Sequence, residues 1–406
     1  MTQPVSKIEK LITKLCPNGV EFKELKDVFN IKNGYTPSKA KSEYWESGTI
    51  PWFRMEDIRE NGHVLNDSLQ YISKTAVKGG KLFPANSILV ATSATIGEHA
   101  LITVPHLSNQ RFSSLTLNPE YLDRLDIQFV HYYCYVLDEW CRNHVSKSSF
   151  ASVDMRGFRK FKIPLPPLPI QEEIVKILNS FTELEAELEA ELEARKRQYE
   201  YYYDQVLTFN DDVELKSLNN VSIVFDSLHQ TPHYLDAGLP MIRVTDIKGG
   251  YINAKNALKV SRETFEIFIK KYKPQFNDIV ISRVGSYGNF SLIGQEEVCL
   301  GQNTAIIHPL INPKYLYYAL HSKNVTQFVK NNVGGGSQKT ISLASIKEIP
   351  IHVPLPAEQN RIVAILDKFD ALVNDISIGL PAELKARRSQ YEYYREKLLT
   401  FNEYAK

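Results

Sequence analysis

The sequence predicts an α+β chain: two similar mixed α/β domains separated by two long antiparallel coiled-coil helices, with pseudo-twofold symmetry. Three observations predict it. Blocks of sequence recur once at a nearly constant offset, each recurrence carries a helical seam, and short β-branched runs precede each seam. Ile174-Val175-Lys176-Ile177-Leu178-Asn179-Ser180-Phe181 returns 188 residues on as Ile362-Val363-Ala364-Ile365-Leu366-Asp367-Lys368-Phe369. The block Ala194-Arg195-Lys196-Arg197-Gln198-Tyr199-Glu200-Tyr201-Tyr202 returns 192 residues on as Ala386-Arg387-Arg388-Ser389-Gln390-Tyr391-Glu392-Tyr393-Tyr394. Leu207-Thr208-Phe209-Asn210 likewise returns as Leu399-Thr400-Phe401-Asn402. Duplication of a whole domain-plus-helix unit implies a bipartite ligand.

The helices come first. Ile174, Ile177, Phe181, Leu184, Leu188, Leu192, Arg195, Tyr199, Tyr202 and Val206 advance by threes and fours, a heptad seam with one stutter. Neither Pro nor Gly interrupts residues 171–210, so one helix about 60 Å long is expected there. The second seam runs through Ile362, Ile365, Phe369, Leu372, Ile376, Leu380, Leu384, Arg387, Tyr391, Tyr394 and Leu398. Gly379 and Pro381 should break it near residue 380. Both helices are approached through proline: Ile163-Pro164-Leu165-Pro166-Pro167-Leu168-Pro169 before Gln171, and Val353-Pro354-Leu355-Pro356 before Gln359. Proline suits a turn leading into a helix.

Upstream of each approach the runs match in pairs. Residues 19–25 parallel 212–218, 50–58 parallel 239–247, and 87–92 parallel 278–283, all read as strands between turn residues. Residues 124–145 and 313–333 read as helical. The resulting organisation is domain 1 over 1–165, a central helix over 166–210, domain 2 over 211–352 and a distal helix over 353–406. Away from the matched strands the loops of the two copies differ strongly.

Bulk properties narrow the function classes. The 406 residues are 43% hydrophobic and 11% aromatic, which fits globular domains, and no apolar run is long enough to span a membrane. The N-terminal segment lacks a secretory apolar core, and Cys16, Cys134, Cys141 and Cys299 lack CxxC spacing, so reduced buried thiols in a cytoplasmic protein are expected. The net charge of +1 conceals a division: +4 over 1–169, −6 over 170–210, +3 over 211–356 and zero over 357–406. Mildly basic domains permit nucleic-acid binding without requiring it.

The order domain, long helix, domain, long helix resembles the DNA-specificity subunit of type I restriction-modification systems. The resemblance rests on the Pro-Leu-Pro approach, Gln171 or Gln359, and the Ile-Val-x-Ile-Leu helix start. It rests also on Thr36-Pro37-Ser38, Tyr44-Trp45, Gly48-Thr49-Ile50-Pro51-Trp52 and the Arg-Gln-Tyr-Glu-Tyr-Tyr block, and it covers essentially the whole chain. It implies a non-catalytic reader in which each target-recognition domain reads one half of a split double-stranded DNA site. The helices would set the gap and dock two methyltransferase subunits, and restriction (motor) subunits would join for cleavage. S-adenosylmethionine would be bound by the methyltransferase partners, ATP and magnesium by the motor subunits, and no cofactor by this chain. The helix seam would supply the partner and helix interface through Ile174, Ile177, Phe181, Leu184, Leu188, Leu192, Tyr199, Ile362, Ile365, Phe369, Leu372 and Tyr391. Three Glu-Leu-Glu-Ala units fill residues 183–194. As good helix formers they also fit a simple solvated face.

Candidate DNA contacts follow from which groups reach bases and phosphates. In domain 2, Arg283, Ser286 and Tyr287 lie on a Gly-containing loop after a strong strand; Ser93 and Thr95 occupy the counterpart, with Thr92 at the Arg283 position. Both loops equally suit ordinary hairpin turns. The amides Asn109 and Gln110 with Arg111, and Gln302 with Asn303, suit adenine or phosphate, or else tie loops together. Ser337, Gln338 and Lys339 follow a triple glycine, and Lys147 and Ser148 align loosely with them.

Enzyme signatures fail. There is no phosphate loop, no dinucleotide fingerprint and no Asn/Asp-Pro-Pro-Tyr/Phe adenine-methylation motif. The histidines lack metal-ligand spacing; Glu21-Phe22-Lys23 and Glu214-Leu215-Lys216 carry a nuclease-like Glu-x-Lys, but the partnering aspartate should lie on a preceding strand, and only helix is expected upstream of the second copy. A coiled-coil adaptor without DNA function, such as a degenerate paralogue, is the competing reading, and an autonomous methyltransferase the third.

Overall fold

Both halves of the chain fold into corresponding sheets with the same strand order, one strand being lost in the second half. The computed structural model describes residues 4–146, 151–210, 212–336, 338–373 and 379–404. Two compact units emerge: residues 1–187 with 385–406, and residues 188–384.

In the first unit a five-stranded sheet runs in the spatial order Phe29–Asn33, Phe112–Leu117, Ser87–Ala91, His99–Ile102 and Val64–Leu65. In the second unit Ser222–Asp226, Thr304–Pro309, Ile279–Ser282 and Phe290–Leu292 follow the same order. The fifth strand shrinks there to a single parallel bridge from Tyr251 to Leu292. Ser87–Ala91 and Ile279–Ser282 are buried along their whole length, which matches the apolar runs 88–91 and 279–281, with Ser87 and Ser282 as buried polar ends. A three-stranded sheet flanks each: Tyr71–Ile72, Ile50–Phe53, Leu107–Ser108, and its counterpart Leu258–Val260, Leu239–Ile242, Cys299–Leu300. Both place the middle strand antiparallel to one neighbour and parallel to the other. The expected strands 50–58 and 239–247 stop early, at Phe53 and Ile242. Asp57 and Asp246 turn back to accept from the backbone N–H of Arg54 and Arg243, at 2.6 and 2.8 Å, and start a helical turn.

The expected helix over 124–145 runs as Ile127–Asn143, capped by Asp126. The one expected over 313–333 divides into Pro313–Leu320 and Lys323–Asn331, because the Ser322 hydroxyl caps a new start by accepting from Val325 N–H. A further amphipathic helix, Pro4–Leu15, precedes the first strand and buries Ile8.

The central helix spans Leu168–Val206, opening with Pro169 in its first turn, and the boundary between the units falls inside it. The distal segment forms two helices, Pro356–Val373 and Leu380–Leu398; the seam position Ile376 lies outside the described residues. Their packing repeats within each unit. In the first, Phe181 stacks on Tyr394 (5.5 Å between ring centroids) and meets Tyr391, while Glu185 pairs with Arg388 at 2.6 Å. Residue numbers rise on one helix as they fall on the other, so this pair is antiparallel. In the second unit Phe369 meets Tyr202 (5.6 Å) and Tyr199 in the same way. Ile174, Ile177 and Ile362 are buried, and Ile365, Leu188 and Leu192 half-buried. Leu184 and Leu372 are 44% and 37% exposed, so the seam is not covered along its whole length.

Gln171 and Gln359 explain why the helix starts are so alike. Gln171 is fully buried; its carbonyl accepts from Asp126 N–H (2.8 Å) and its amide donates to the carbonyls of Arg124 and Pro166. Gln359 repeats the clamp on Asn312 N–H (3.1 Å) and the Pro354 carbonyl. One amide thus satisfies backbone groups at the starts of two elements that burial would otherwise leave unpaired. Beside it Tyr132 donates to Asn179 at 2.6 Å, and Tyr318 to Asp367 at 2.7 Å.

Candidate nucleic-acid interface

Two short hairpins meet in each unit, and Ser93, Thr95, Arg283, Ser286, Tyr287, Gln338 and Lys339 lie on or beside them. In the second unit the turn after Ile279–Ser282 meets the hairpin Val333–Gly334/Thr340–Ile341: Gly285 N–H donates to the Lys339 carbonyl (3.3 Å) and Ile341 N–H to that of Arg283 (3.0 Å). In the first unit Val153 N–H donates to the Thr92 carbonyl (2.9 Å), and Ser93 bridges Ser152 of the hairpin Val145–Ser146/Ser152–Val153. Ser286, Gln338 and Lys339 are exposed; Ser93, Thr95 and Tyr287 are half-buried, Tyr287 packing against the core. Gly335 has φ +103° and a Cβ there would lie 2.4 Å from the Gln338 carbonyl, so closing the turn accounts for one of the three glycines. Lys147, Ser148 and Ser337 lie outside the described residues.

Arg283 has a structural partner. Its side chain is 12% exposed, its Nη1 lies 2.5 Å from Asp226 Oδ1, and its Nε donates to the Ile341 carbonyl. Sheet register makes Thr92, Ser113 and Asn33 the first-unit counterparts of Arg283, Ala305 and Asp226. There a neutral chain replaces the ion pair: Thr92 Oγ1 to Ser113 Oγ, 3.0 Å, and Ser113 Oγ to Asn33 Oδ1, 3.0 Å. The difference between Thr92 and Arg283 is therefore a coupled exchange across three strands, with Arg283 as brace.

The amide loops lie beside the three-stranded sheets. Asn109 accepts from Arg111 N–H (2.9 Å) in a local turn, Gln110 accepts from the Thr36 hydroxyl, and Arg111 is exposed. Gln302 is exposed, and Asn303 holds φ +65°, a conformation Asn tolerates. Next to the first of these loops, Trp45 and Trp52 pack edge to face at 5.0 Å and line a cavity of about 460 Å³ with Lys39, Arg54 and Gln70. Arg54 and its counterpart Arg243 are not among the candidates that sequence reasoning reaches. The signal that could have found them is their matching place in the 50–58 and 239–247 blocks.

Other titratable groups serve the fold. His99 Nδ1 lies 2.5 Å from Asp138, and burial drives His131 well below the usual imidazole range. Burial holds the thiols of Cys141 and Cys299 up at about 12, and all four cysteines are buried and free of disulfides. Glu21 is engaged by Lys23 and Arg124, both at 2.8 Å, and Glu214 by Lys216 at 3.0 Å. Among the described residues no cluster of His, Cys, Asp or Glu could hold a metal, and no helix is long and apolar enough to cross a membrane.

The family model described as the type I restriction modification DNA specificity domain matches the chain twice, over residues 17–194 and 212–386. The EcoprrI specificity subunit of a type I restriction enzyme from Escherichia coli is 43% identical over 394 residues, covering 92% of each chain. The MjaIX specificity subunit of Methanocaldococcus jannaschii is 22% identical, covering 89% of this chain and 87% of its own. A solved chain from work on complex assembly and conformational transition of a type I R-M system superposes with a TM-score of 0.66. It is 16% identical and covers 95% of this chain and 98% of its own, a likeness of fold.

Proposed function

The chain belongs to the family of type I restriction modification DNA specificity domains, and from that premise we propose that each recognition domain reads one half of a bipartite DNA site. It is a non-catalytic specificity subunit with a role in sequence-specific DNA recognition. The observation that carries the bipartite reading is the pair of meeting hairpins, built at the same place in both units from different side chains. One scaffold used twice with altered loops is what two unlike half-sites require, since base edges are read by side chains and not by the frame.

On this reading the helices set the spacer and dock two methyltransferase subunits, which bring S-adenosylmethionine. Motor subunits bring ATP and magnesium, and this chain contributes recognition alone. Methylome sequencing of cells carrying the intact system identifies the site. Mobility-shift titration at several salt concentrations then compares a duplex bearing both half-sites with duplexes in which either is scrambled. Scrambling either half should weaken binding. Equal affinity for all three duplexes, or a flat salt dependence, would favour the adaptor reading instead.

A further inference from the structure

We propose that Arg54 and Arg243 are matched contacts to DNA backbone phosphates, one in each recognition domain, an assignment that rests on the bipartite reading above. Both follow the middle strand of a three-stranded sheet, and both have their backbone fixed by an aspartate three residues on. The carbonyl just before each arginine accepts from the neighbouring amide loop: Phe53 from Asn109 N–H at 3.1 Å, and Ile242 from Gly301 N–H at 2.8 Å. Each arginine therefore stands against a candidate reading loop at the same register.

Their Nε donors are unspent. Each is buried without a hydrogen-bond partner among the described residues, while the side chains remain 31% and 35% exposed. Arg54 Nε is 3.9 Å from Glu56, too far for a hydrogen bond. Arg243 Nε forms an ion pair with Asp246 at 3.4 Å but no hydrogen bond. Nε itself is covered, so an anion would be met by the exposed remainder of each side chain, where it would offset the cost of the partly desolvated charge. A guanidinium fork matches phosphate oxygens two at a time. The choice of phosphate over base follows from repetition. The Thr92 and Arg283 positions diverged between the domains, whereas this arginine is the same in both, so its contact carries no sequence information.

The test measures the full-length chain on the methylome-defined duplex and on its half-site-scrambled versions, across salt. Arg54→Met or Arg243→Met should weaken binding about tenfold on every duplex alike. Each should also make the dependence of log affinity on log salt shallower by about one, and the double variant by about two. Arg→Lys variants should keep the slope, which separates charge from folding. A wild-type chain titrated on duplexes with single methylphosphonate linkages should lose the same increment at one position per half-site, and the matching Met variant should not. An unchanged slope, or loss confined to the intact site, would overturn the assignment while leaving bipartite reading intact. A wild-type chain indifferent to half-site sequence would overturn both.

Discussion

Arg283 shows how a residue's chemistry is decided by what stands across the sheet. As a sequence feature it is a cation on a glycine-containing loop; in the fold it neutralises Asp226 at 2.5 Å, with both side chains less than one-fifth exposed. Removing one member of a largely buried pair strands the other charge, so Arg283→Thr should cost about 2 kcal/mol after allowing for partial exposure. Adding Asp226→Asn and Ala305→Ser transplants the neutral first-unit chain and should recover most of that loss. Urea unfolding followed in the 188–384 unit checks this; a triple variant no more stable than the single one would refute the coupling. His106 behaves differently. It is fully buried between Phe53 and Phe83, its Nδ1 facing the Val104 carbonyl, and desolvation lowers its pKa to about 4. The unfolded chain takes up a proton below about pH 6.5 and the folded one only near 4, so stability present above 6.5 is lost as pH falls through that window. Between pH 7.5 and 5 the loss should be about 2 kcal/mol. His106→Gln should abolish that share, measured as the difference in unfolding midpoint at the two pH values.

At the scale of elements, the helices were the most legible part of the sequence, because heptad spacing and proline are local signals. The break near residue 380 and the long run from 168 follow directly from them. The function of the Pro-Leu-Pro…Gln signature was not legible, because Gln171 bonds Asp126, 45 residues away, and only packing brings them together. The Glu-Leu-Glu-Ala units yield the element-scale prediction. Deleting Glu187–Ala190 removes about 6 Å of helix where base pairs rise about 3.4 Å each. The preferred spacer should therefore shorten by about one to two base pairs with both half-sites kept. Methylome sequencing of cells carrying the deletion would refute this if the gap stayed constant or a half-site changed.

For the molecule as a whole, the sequence by itself determined the duplication, the order of domains and helices, and the absence of familiar catalytic motifs. Repeats, periodicity and turn residues write all three locally. Tertiary structure alone decided the pairing of Phe181 with Tyr391 and Tyr394, and of Phe369 with Tyr199 and Tyr202. It also decided that the first unit joins two stretches far apart in the chain, that Arg283 is a brace, and that Arg54 and Arg243 stand beside the amide loops with their Nε donors unused. The physical reason is common to all of these. Helical and strand propensities are summed over neighbours in sequence, whereas charge compensation and burial depend on strand register and on which faces meet, which no local pattern encodes.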